Sequence, residues 1–463
     1  MNYQEAVAYL DTFVNYERTH QPQAMQAVKL ERMRRLCQRL GEPQRSFRSI
    51  LVTGTNGKGS ICAMLYAMLR ESPLRVGLYT SPHLEHLRER IRICEDGPRS
   101  QPRAHGEDWI TDSGFAATME QLQPVLEGMR DDSPEGPPTY FEVLTALAFV
   151  HFSLRRVQVA VLEVGLGGRL DATNVVEQAV SVIAPIALDH TDVLGADPVA
   201  IAREKAGIIK PNQMVVTAPQ QEGAADIVRQ ACQAQGVPLV AWGQPVAVTV
   251  QRHDLRGLQV SVSGLRGIYG SLSIPLIGRH QAQNAAVAIG ALEALSDTGV
   301  PYGLVERGLA QVEWPGRLEV VNDAPLVLMD GAHNPHAATM LRETLVELCG
   351  RRRVHLLIGM SSDKSVEEIG RLLGGLAVSA TCTKSRHPRA LAPVELAKHL
   401  APFCPDVHVM PDPVDAYTYL LNAVSPDDLL VVTGSLFLVG ELRAAIRQSH
   451  VRPKRTSSLE TAV

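Results

Sequence analysis

Short apolar runs alternate with helix-like patterns along most of the 463-residue chain, and this alternation limits the possible folds more than any other feature. Runs of four to eight apolar residues bounded by turn residues predict buried strands. Strands that alternate with helices form parallel sheets covered by helices. The predicted strands are SILVT, RVGLYT, VAVLEVG, AVSVIAPIAL, MVVTA, LVLMDG, VHLLIG and LLVVTGS.

The first predicted strand leads into the glycine-rich sequence TGTNGKGS. Two residues separate Gly54 from Gly57, and Gly59 stands between Lys58 and Ser60, so the spacing differs from the usual phosphate-binding loop. An amphipathic helix is predicted from about Ser60, with Ile61, Met64, Leu65, Met68 and Leu69 on one apolar face. A strand, a glycine turn and a helix together favour phosphate binding. The alternative is a tight strand-to-helix turn that carries a surface lysine.

The chain divides into regions of different pattern. VAVTVQRH, LQVSVSG and GSLSIPL, between about residues 244 and 277, are short and alternating, which predicts a small antiparallel sheet. The α/β alternation restarts near Trp314. We therefore predict a P-loop ATPase-like domain with a mostly parallel sheet plus the small antiparallel sheet over 1–313, and a Rossmann-like α/β domain over 314–448. Residues 449–463 show no periodicity and are predicted to be a disordered tail.

Composition excludes several classes of protein. Hydrophobic residues make up 45% and charged residues 20%, as in globular proteins with large cores. A net charge of -4 argues against a dedicated nucleic-acid or membrane-surface protein. The acidic, amphipathic N-terminus does not look like a signal peptide, so we expect a cytoplasmic protein. The seven cysteines include no CxxC pair, which argues against a zinc site or a disulfide framework.

Polar residues follow several predicted strands of the first domain. Ser81, Glu163 and His190 come at or after three strand ends, with Asp189 beside His190. Because ligands bind beyond the carboxyl ends of parallel strands, these residues and the glycine loop are expected at one edge of the sheet. Their oxygen and imidazole donors suit a magnesium ion beside phosphates. Taken singly, each could instead cap a helix or satisfy a buried neighbour.

Other candidates are ambiguous from the residues alone. Asp197 and Pro198 start a helix that Gly207 ends, and on that helix Lys205 has the pattern of a solvated lysine. Asp330 and His333 follow one predicted strand of the second half, and Ser435 follows the last. These residues fit turn chemistry, and they also fit a cleft between the two domains.

A longer set of motifs makes the assignment specific. In order, the chain contains TGTNGKGS, TSPHL, TYFEVLTA, LEVGLGGRLDATN, ALDHTDVLG, REKAGIIK, GRHQAQNAAVAI, WPGRLE and DGAHNP. Together they resemble folylpolyglutamate synthases and the bifunctional dihydrofolate synthase/folylpolyglutamate synthases of the Mur ligase superfamily. The resemblance extends over nearly the whole chain, to TGSLFLVGEL. The stretch from Glu95 to Asp112 looks longer than is usual in that family.

The resemblance implies roles for individual residues. Catalytic roles fall on Lys58, Lys205 and His333, with Lys205 carboxylated on its side-chain nitrogen. The implied ATP-binding residues are Asn56, Gly57, Lys58, Gly59, Ser60, Asn284, Arg317 and Asp330. The implied ligands of magnesium, expected as two ions, are Ser81, Glu163 and His190. The implied substrate-binding residues are Thr139, Tyr140, Phe141, Glu142, Leu170, Asp171, Ala172 and Ser435.

The implied reaction is ATP-dependent addition of L-glutamate to dihydropteroate and to reduced folates, through an acyl phosphate. The expected partners are these small molecules, without nucleic acid or membrane, and the expected state is a monomer. The TYFE and RLDATN segments favour the bifunctional enzyme over a single activity. Two rivals stay open: a cell-wall or cyanophycin-type amino-acid ligase of the same superfamily, and a P-loop ATPase switch whose second domain binds a partner.

Overall fold

A computed structural model describes residues 1–18, 30–98, 104–189, 195, 197–243, 245–296 and 299–450. Residues 451–463, most of the tail predicted to be disordered, lie outside this part, and the last helix includes residues 449 and 450. Within the described ranges, no helix combines the length and the apolar character needed to cross a membrane.

The first region is built on a seven-stranded sheet. Its strands are β1 Arg48–Thr53, β2 Val76–Tyr79, β3 Ile91–Cys94, β4 Val159–Glu163, β5 Val180–Ile183, β6 Met214–Thr217 and β7 Leu239–Val240. Their order is β3-β2-β4-β1-β5-β6-β7, and every neighbouring pair is parallel except β2 and β3. This confirms the predicted mostly parallel sheet and places β1 between β4 and β5.

Helices cover this sheet. They are α1 Tyr3–Leu10, α2 Leu30–Arg39, α3 Lys58–Leu69, α4 Asp112–Asp132, α5 Tyr140–Leu154, α6 Pro198–Ala206, α7 Glu222–Gln235, α8 Arg279–Leu295 and α9 Tyr302–Ala310. Short 3-10 turns occur at Pro43–Arg45, Leu87–Arg90 and Ala172–Val175. Helix α6 begins and ends as predicted, since the Asp197 side chain accepts hydrogen bonds from the backbone N–H groups of Val199 and Ala200, and Gly207 follows its last turn.

The helix after the glycine loop differs from its prediction. The sequence indicated one apolar face, but every residue from Ser60 to Leu69 is buried. The reason is that α3 is enclosed by the sheet on one side and by α8 and α9 on the others. A helix that is buried all round does not need a polar face, so its hydrophobic periodicity carries little information.

The small antiparallel sheet is also confirmed. It consists of β8 Ala247–Asp254, β9 Gly257–Ser263 and β10 Ile268–Ile274 in the order β10-β9-β8. The alternation along β9 points Leu258, Val260 and Val262 into the same core that buries α3 and α8. The sheet therefore extends the core of the first region and leaves its other face polar.

The α/β alternation restarts as predicted after Trp314. The third sheet contains β11 Glu319–Asp323, β12 Leu326–Met329, β13 Val354–Ile358, β14 Ser379–Cys382, β15 Val407–Val409 and β16 Leu429–Thr433. Their order is β11-β12-β16-β13-β14-β15, with only the β11–β12 pair antiparallel. The helices are α10 Pro335–Cys349, α11 Val366–Gly374, α12 Pro393–Leu400, α13 Pro413–Ala423 and α14 Leu436–His450.

Gly308 permits the close contact between α9 and α3. A Cβ atom at this position would lie 2.4 Å from the Cα atom of Met68 and 2.8 Å from the carbonyl oxygen of Ala67. We therefore expect Gly308→Ala to force the helices apart and to lower the free energy of unfolding by about 1–3 kcal/mol. Urea unfolding of the purified variants measures the change.

Gly370 is a matched control because it also lies in a helix, but its Cβ would have no neighbour closer than 3.4 Å. Gly370→Ala is expected to be neutral or to stabilise by up to about 1 kcal/mol through helix propensity. Equal effects of the two substitutions would show that helix–helix distance is not set by Gly308.

Candidate active site

The candidate site lies at the carboxyl edge of the first sheet. The glycine loop follows β1, Glu163 ends β4, Asp189 comes after β5, and Ser81 comes after β2. Strand β1 lies between β4 and β5, so the loop sits at the position where connections leave the sheet on opposite sides. Crevices at such positions are the usual ligand sites of open parallel sheets.

The glycine loop has a backbone that only glycine accommodates at two positions. Gly54 has φ +151°, and a Cβ there would lie 2.5 Å from the Cβ of Ala184. Gly57 has φ +84°, and a Cβ there would lie 2.7 Å from the side-chain oxygen of Asn284. Helix α3 begins at Lys58 directly after this turn, so its free backbone N–H groups face the cleft. That arrangement is suited to an anion such as phosphate.

Two lysine side chains converge on one carbonyl oxygen of this loop. The Nζ atoms of Lys58 and Lys205 donate to the oxygen of Gly54 at 2.9 and 2.8 Å. Lys205 is only 3% exposed, so its interpretation as a solvated helix lysine is wrong. Burial, and then the positive charge of Lys58, lower the pKa of Lys205 to about 7. A sizeable fraction of the Lys205 amine is therefore neutral near neutral pH.

Glu163 brings a buried carboxylate to the same edge. It is 5% exposed, and its Oε2 atom accepts a hydrogen bond from the backbone N–H of Ser81 at 3.1 Å. Burial raises the pKa of Glu163, while the nearby charge of Lys58 opposes that effect. A carboxylate next to a serine fits a magnesium ion that keeps water and phosphate oxygens as further ligands. His190 lies outside the described residues, and within them no group of three or more His, Cys, Asp or Glu side chains is placed to hold a metal.

A cleft of about 330 Å³, open to solvent, runs from the glycine loop to the third sheet. Asn284 lines it from α8, and the half-buried Arg317 and the buried Asp330 line it from the part of the chain around the third sheet. The Asp330 carboxylate accepts hydrogen bonds from the backbone N–H groups of Leu318 and Ala332, at 2.9 and 2.8 Å. Burial lowers the pKa of Arg317, and the charges of Asp330 and Glu163 oppose that shift.

The side chains between the two regions form a hydrogen-bonded chain. The amides of Asn56 and Asn334 exchange hydrogen bonds at 3.3 and 3.0 Å. Asn334 also donates to the Asp189 carboxylate at 3.0 Å, and Lys364 donates to the same carboxylate at 2.7 Å. His333 lies 3.6 Å from Asp189. The glycine loop of the first region is thus tied directly to loops of the third sheet.

Comparison with known proteins identifies the family of the chain. Residues 111–292 match the Mur ligase middle domain, and residues 316–436 match the Mur ligase glutamate ligase domain. The dihydrofolate synthase/folylpolyglutamate synthase of Bacillus subtilis is 33% identical over 90% of this chain and 95% of its own length. The enzyme of the same name from Escherichia coli is 32% identical over 90% of this chain and 91% of its own. The chain belongs to the dihydrofolate synthase/folylpolyglutamate synthase family.

Solved structures agree with this membership. The structure of E. coli FolC in complex with DHPP and ADP has a TM-score of 0.82 and 29% identity, and the match covers 97% of this chain and 99% of that one. Mycobacterium tuberculosis folylpolyglutamate synthase, complexed with ADP and AMPPCP, has a TM-score of 0.82 and 33% identity over 92% of this chain and 96% of that one. The α/β fold predicted with its small antiparallel sheet is therefore the fold of the family.

The structure gathers the residues that the family resemblance assigned to ATP. All eight line the cleft: Asn56, Gly57, Lys58, Gly59, Ser60, Asn284, Arg317 and Asp330. Glu163 and His333 line it too. Lys205 lies behind the glycine loop, in contact with Gly54.

The residues assigned to the pterin substrate form a separate group. The ring of Phe141 packs against the backbone of Gly165, where an added Cβ would approach it to 2.7 Å. The Asp171 carboxylate accepts from the N–H groups of Gly165 and Leu166, both at 3.1 Å, so the two predicted segments lie side by side. The carboxylate of Glu142 is buried in contacts with Arg32 and with the N–H of Thr139. Tyr140 is also buried, Leu170 is half-buried and Ala172 is buried beside them.

Some residues at the site were not singled out from the sequence. Lys364 is 8% exposed and contacts Asp189, yet its surroundings, SSDKS, look like an ordinary loop. His280 and His336 line the cleft, and burial lowers the pKa of His280 to about 4. His280 belongs to the GRHQAQNAAVAI motif and His336 follows DGAHNP, so the motifs were the available signal. Ser435, by contrast, was predicted as a substrate-binding residue. It is buried, and its Oγ accepts a hydrogen bond from the N–H of Phe437 at the start of α14.

Proposed function

We propose that this protein is an ATP-dependent ligase that adds L-glutamate to dihydropteroate, and to tetrahydrofolate or its polyglutamates, with release of ADP and phosphate. It acts in the cytoplasm as a monomer, with one domain over 1–313 and the other over 314–448. The observation that carries the proposal is the cleft, in which a phosphate-binding loop faces Arg317 and Asp330 of the other domain. The B. subtilis and E. coli relatives bear the names of both synthase activities.

ATP is the co-substrate, and its phosphates occupy the glycine loop. The N–H groups at the start of α3 and the Lys58 ammonium stabilise the charge that accumulates on the transferred phosphoryl group. Asn284 and Arg317 hold the nucleotide from the two regions that line the cleft, and the negative charge of Asp330 favours the charged form of Arg317. Most of the rate acceleration then comes from positioning the substrates and stabilising the transferred charge, and not from covalent bonds to the protein.

Magnesium is expected at the Ser81, Glu163 and His190 side chains, as one of two ions. The buried carboxylate of Glu163 and the adjacent Ser81 fit this role by chemistry and location. When bound, magnesium neutralises phosphate charge and orients the phosphates. Glu163 also counters the positive charge of Lys58 beside it.

The reaction proceeds in two steps at the loop. An oxygen of the substrate carboxylate attacks the γ-phosphorus, the bond to ADP breaks, and an acyl phosphate forms. The glutamate amine then attacks the acyl carbon, loses a proton, and phosphate departs. Phe141 and Asp171 lie on the segments that hold the pterin, while His333 and Ser435 face the incoming glutamate. Contact between Asn56 and Asn334 brings the domains together and excludes water that would hydrolyse the acyl phosphate.

The product assay tests the proposal directly. Purified protein with Mg-ATP and glutamate is offered dihydropteroate and tetrahydrofolate separately, and mass spectrometry identifies the nucleotide and pterin products. We expect ADP and one added glutamate on both substrates. Product from one substrate alone would assign a single activity, and no pterin product from either would place the chain in another branch of the Mur ligases.

Lys58 is expected to be essential for turnover but not for folding. Lys58→Ala removes the charge that faces the phosphates, and we expect at least a hundredfold loss of kcat. Lys398→Ala is the control, because Lys398 is 65% exposed and pairs with Glu395 away from the cleft. Steady-state kinetics and thermal unfolding measure both variants. Wild-type turnover by Lys58→Ala would remove this lysine from the mechanism.

Lys205 is proposed to carry a carboxylate on its Nζ atom. A neutral amine attacks the carbon of carbon dioxide and loses a proton, and the depressed pKa of about 7 supplies that amine near neutral pH. The resulting anion lies beside Lys58 and offsets magnesium charge, where an ammonium would repel it. Intact mass of gently handled protein is expected to include the added carboxylate. Fully active protein with unmodified Lys205 would contradict this proposal.

A further inference from the structure

A buried arginine near the cleft is paired with a carboxylate from the N-terminal segment. Arg90 is 1% exposed, and its two terminal nitrogens donate to both oxygens of Glu17, at 2.8 and 2.6 Å. The Nε atom of Arg90 donates to His83 Nδ1 at 3.0 Å. We call Arg90, His83 and Glu17 the Arg90 cluster. Its two parallel bonds are the arrangement by which arginine recognises a carboxylate most specifically.

The cluster lies beside the residues assigned to the substrates. His83 comes two residues after Ser81, and the backbone N–H of Tyr140 donates to the carbonyl oxygen of Val14, three residues before Glu17. The segment Val14–Arg18 therefore lies across the start of α5, the TYFE segment that the pterin is proposed to occupy. Under the proposed function, a pterin held by the TYFE segment would therefore lie close to this segment.

The other domain contributes charge to the same place. Burial alone would raise the pKa of Glu17, but Arg90, His83 and Arg389 hold it below its ordinary value. Arg389 belongs to the loop after β14, where the ring of His387 stacks on that of Phe437 at 3.8 Å. The Glu17 carboxylate is thus bound directly by Arg90, and the positive charge of Arg389 in the other domain acts on it from a greater distance.

We propose that Glu17 is a built-in competitor that fills a substrate-carboxylate pocket at Arg90 until a substrate carboxylate displaces it. This rests on the proposed function, because the glutamate and folate substrates of such a ligase are carboxylates. The Glu17 side chain ends in the same γ-carboxylate as free glutamate. Exchange of one carboxylate for another keeps the guanidinium paired, whereas an empty pocket would leave a buried charge without a partner.

The competing explanation is a permanent ion pair that anchors the N-terminal segment. The two explanations differ in what removal of the Glu17 charge does to substrate affinity. If Glu17 fills the pocket about nine-tenths of the time, its removal raises affinity about tenfold, because affinity scales with the free fraction. A permanent anchor gives unchanged or weaker binding.

The test is titration calorimetry on full-length Glu17→Gln and wild type, with magnesium and a non-hydrolysable ATP analogue. L-glutamate and dihydropteroate are titrated separately, so the experiment also identifies which carboxylate enters. We expect about tenfold tighter binding of one of them to Glu17→Gln. Asp11→Asn is the matched control, since Asp11 directly precedes this segment and its carboxylate pairs with Arg18, at 3.7 Å, instead of with Arg90. Unchanged affinity in Glu17→Gln, or the same gain in both variants, overturns the proposal.

If Glu17→Gln does not fold, a second measurement, made on wild type, tests the same proposal. In wild type, hydrogen exchange of the amides over 14–18 is expected to speed up when the displacing substrate is saturating. Unchanged or slower exchange points to a permanent anchor and overturns the proposal. Wild type that forms no glutamylated product rejects the ligase assignment itself. If wild type forms the glutamylated product and Glu17→Gln binds the substrates with the same affinity as wild type, only the role of Glu17 is rejected.

Discussion

The carbonyl oxygen of Gly54 is the point on which the site depends, because it accepts hydrogen bonds from both Lys58 and Lys205. An ammonium on Lys205 held this close to that of Lys58 is repelled by it, and burial strengthens the repulsion by lowering the local dielectric constant, which favours a neutral or modified Lys205. Glu163 and Asp189, from the strands on either side of β1, supply the opposing charge. The strand order β4-β1-β5 places one of these carboxylates after the strand on each side of β1. Phosphates entering the loop add to that compensation.

The same edge of the sheet is where the two domains meet. Asp189 is bonded to Asn334 and Lys364 of the other domain, and Asn334 is bonded in turn to Asn56 of the glycine loop. A ligand that contacts Asn56 thus acts on groups that also hold the domains together. Ligand binding and domain arrangement therefore share contacts. A ligand that binds the closed arrangement of the domains more tightly than the open one shifts the population toward the closed arrangement. A two-domain ligase needs that linkage to exclude water only when its substrates are present.

The sequence predicted the parts of this structure that are set by local pattern. Strands β1, β4 and β5 are continuous apolar runs, and the glycine loop has a distinctive spacing. The strands β3, β7, β11, β14 and β15 were not predicted, because they are short, or polar enough to resemble loops, as in EVVND of β11. The burial of Lys205 was also missed, since it depends on a carbonyl 151 residues away. The contact of Lys364 with Asp189 spans 175 residues, and no local pattern encodes it.

Arg317 in the cleft and Arg90 near it each have a protein carboxylate close by, but the two carboxylates are held differently. Asp330, beside Arg317, accepts two backbone hydrogen bonds and is fixed whether or not a ligand is present. In the described part of the chain, the carboxylate of Glu17 is hydrogen-bonded to Arg90, a side chain, and to no backbone group. A carboxylate fixed by the backbone can orient a cation toward a ligand without leaving it. A carboxylate held only by the cation that it neutralises can exchange for a ligand of the same charge, and this difference separates the role of Asp330 from that of Glu17.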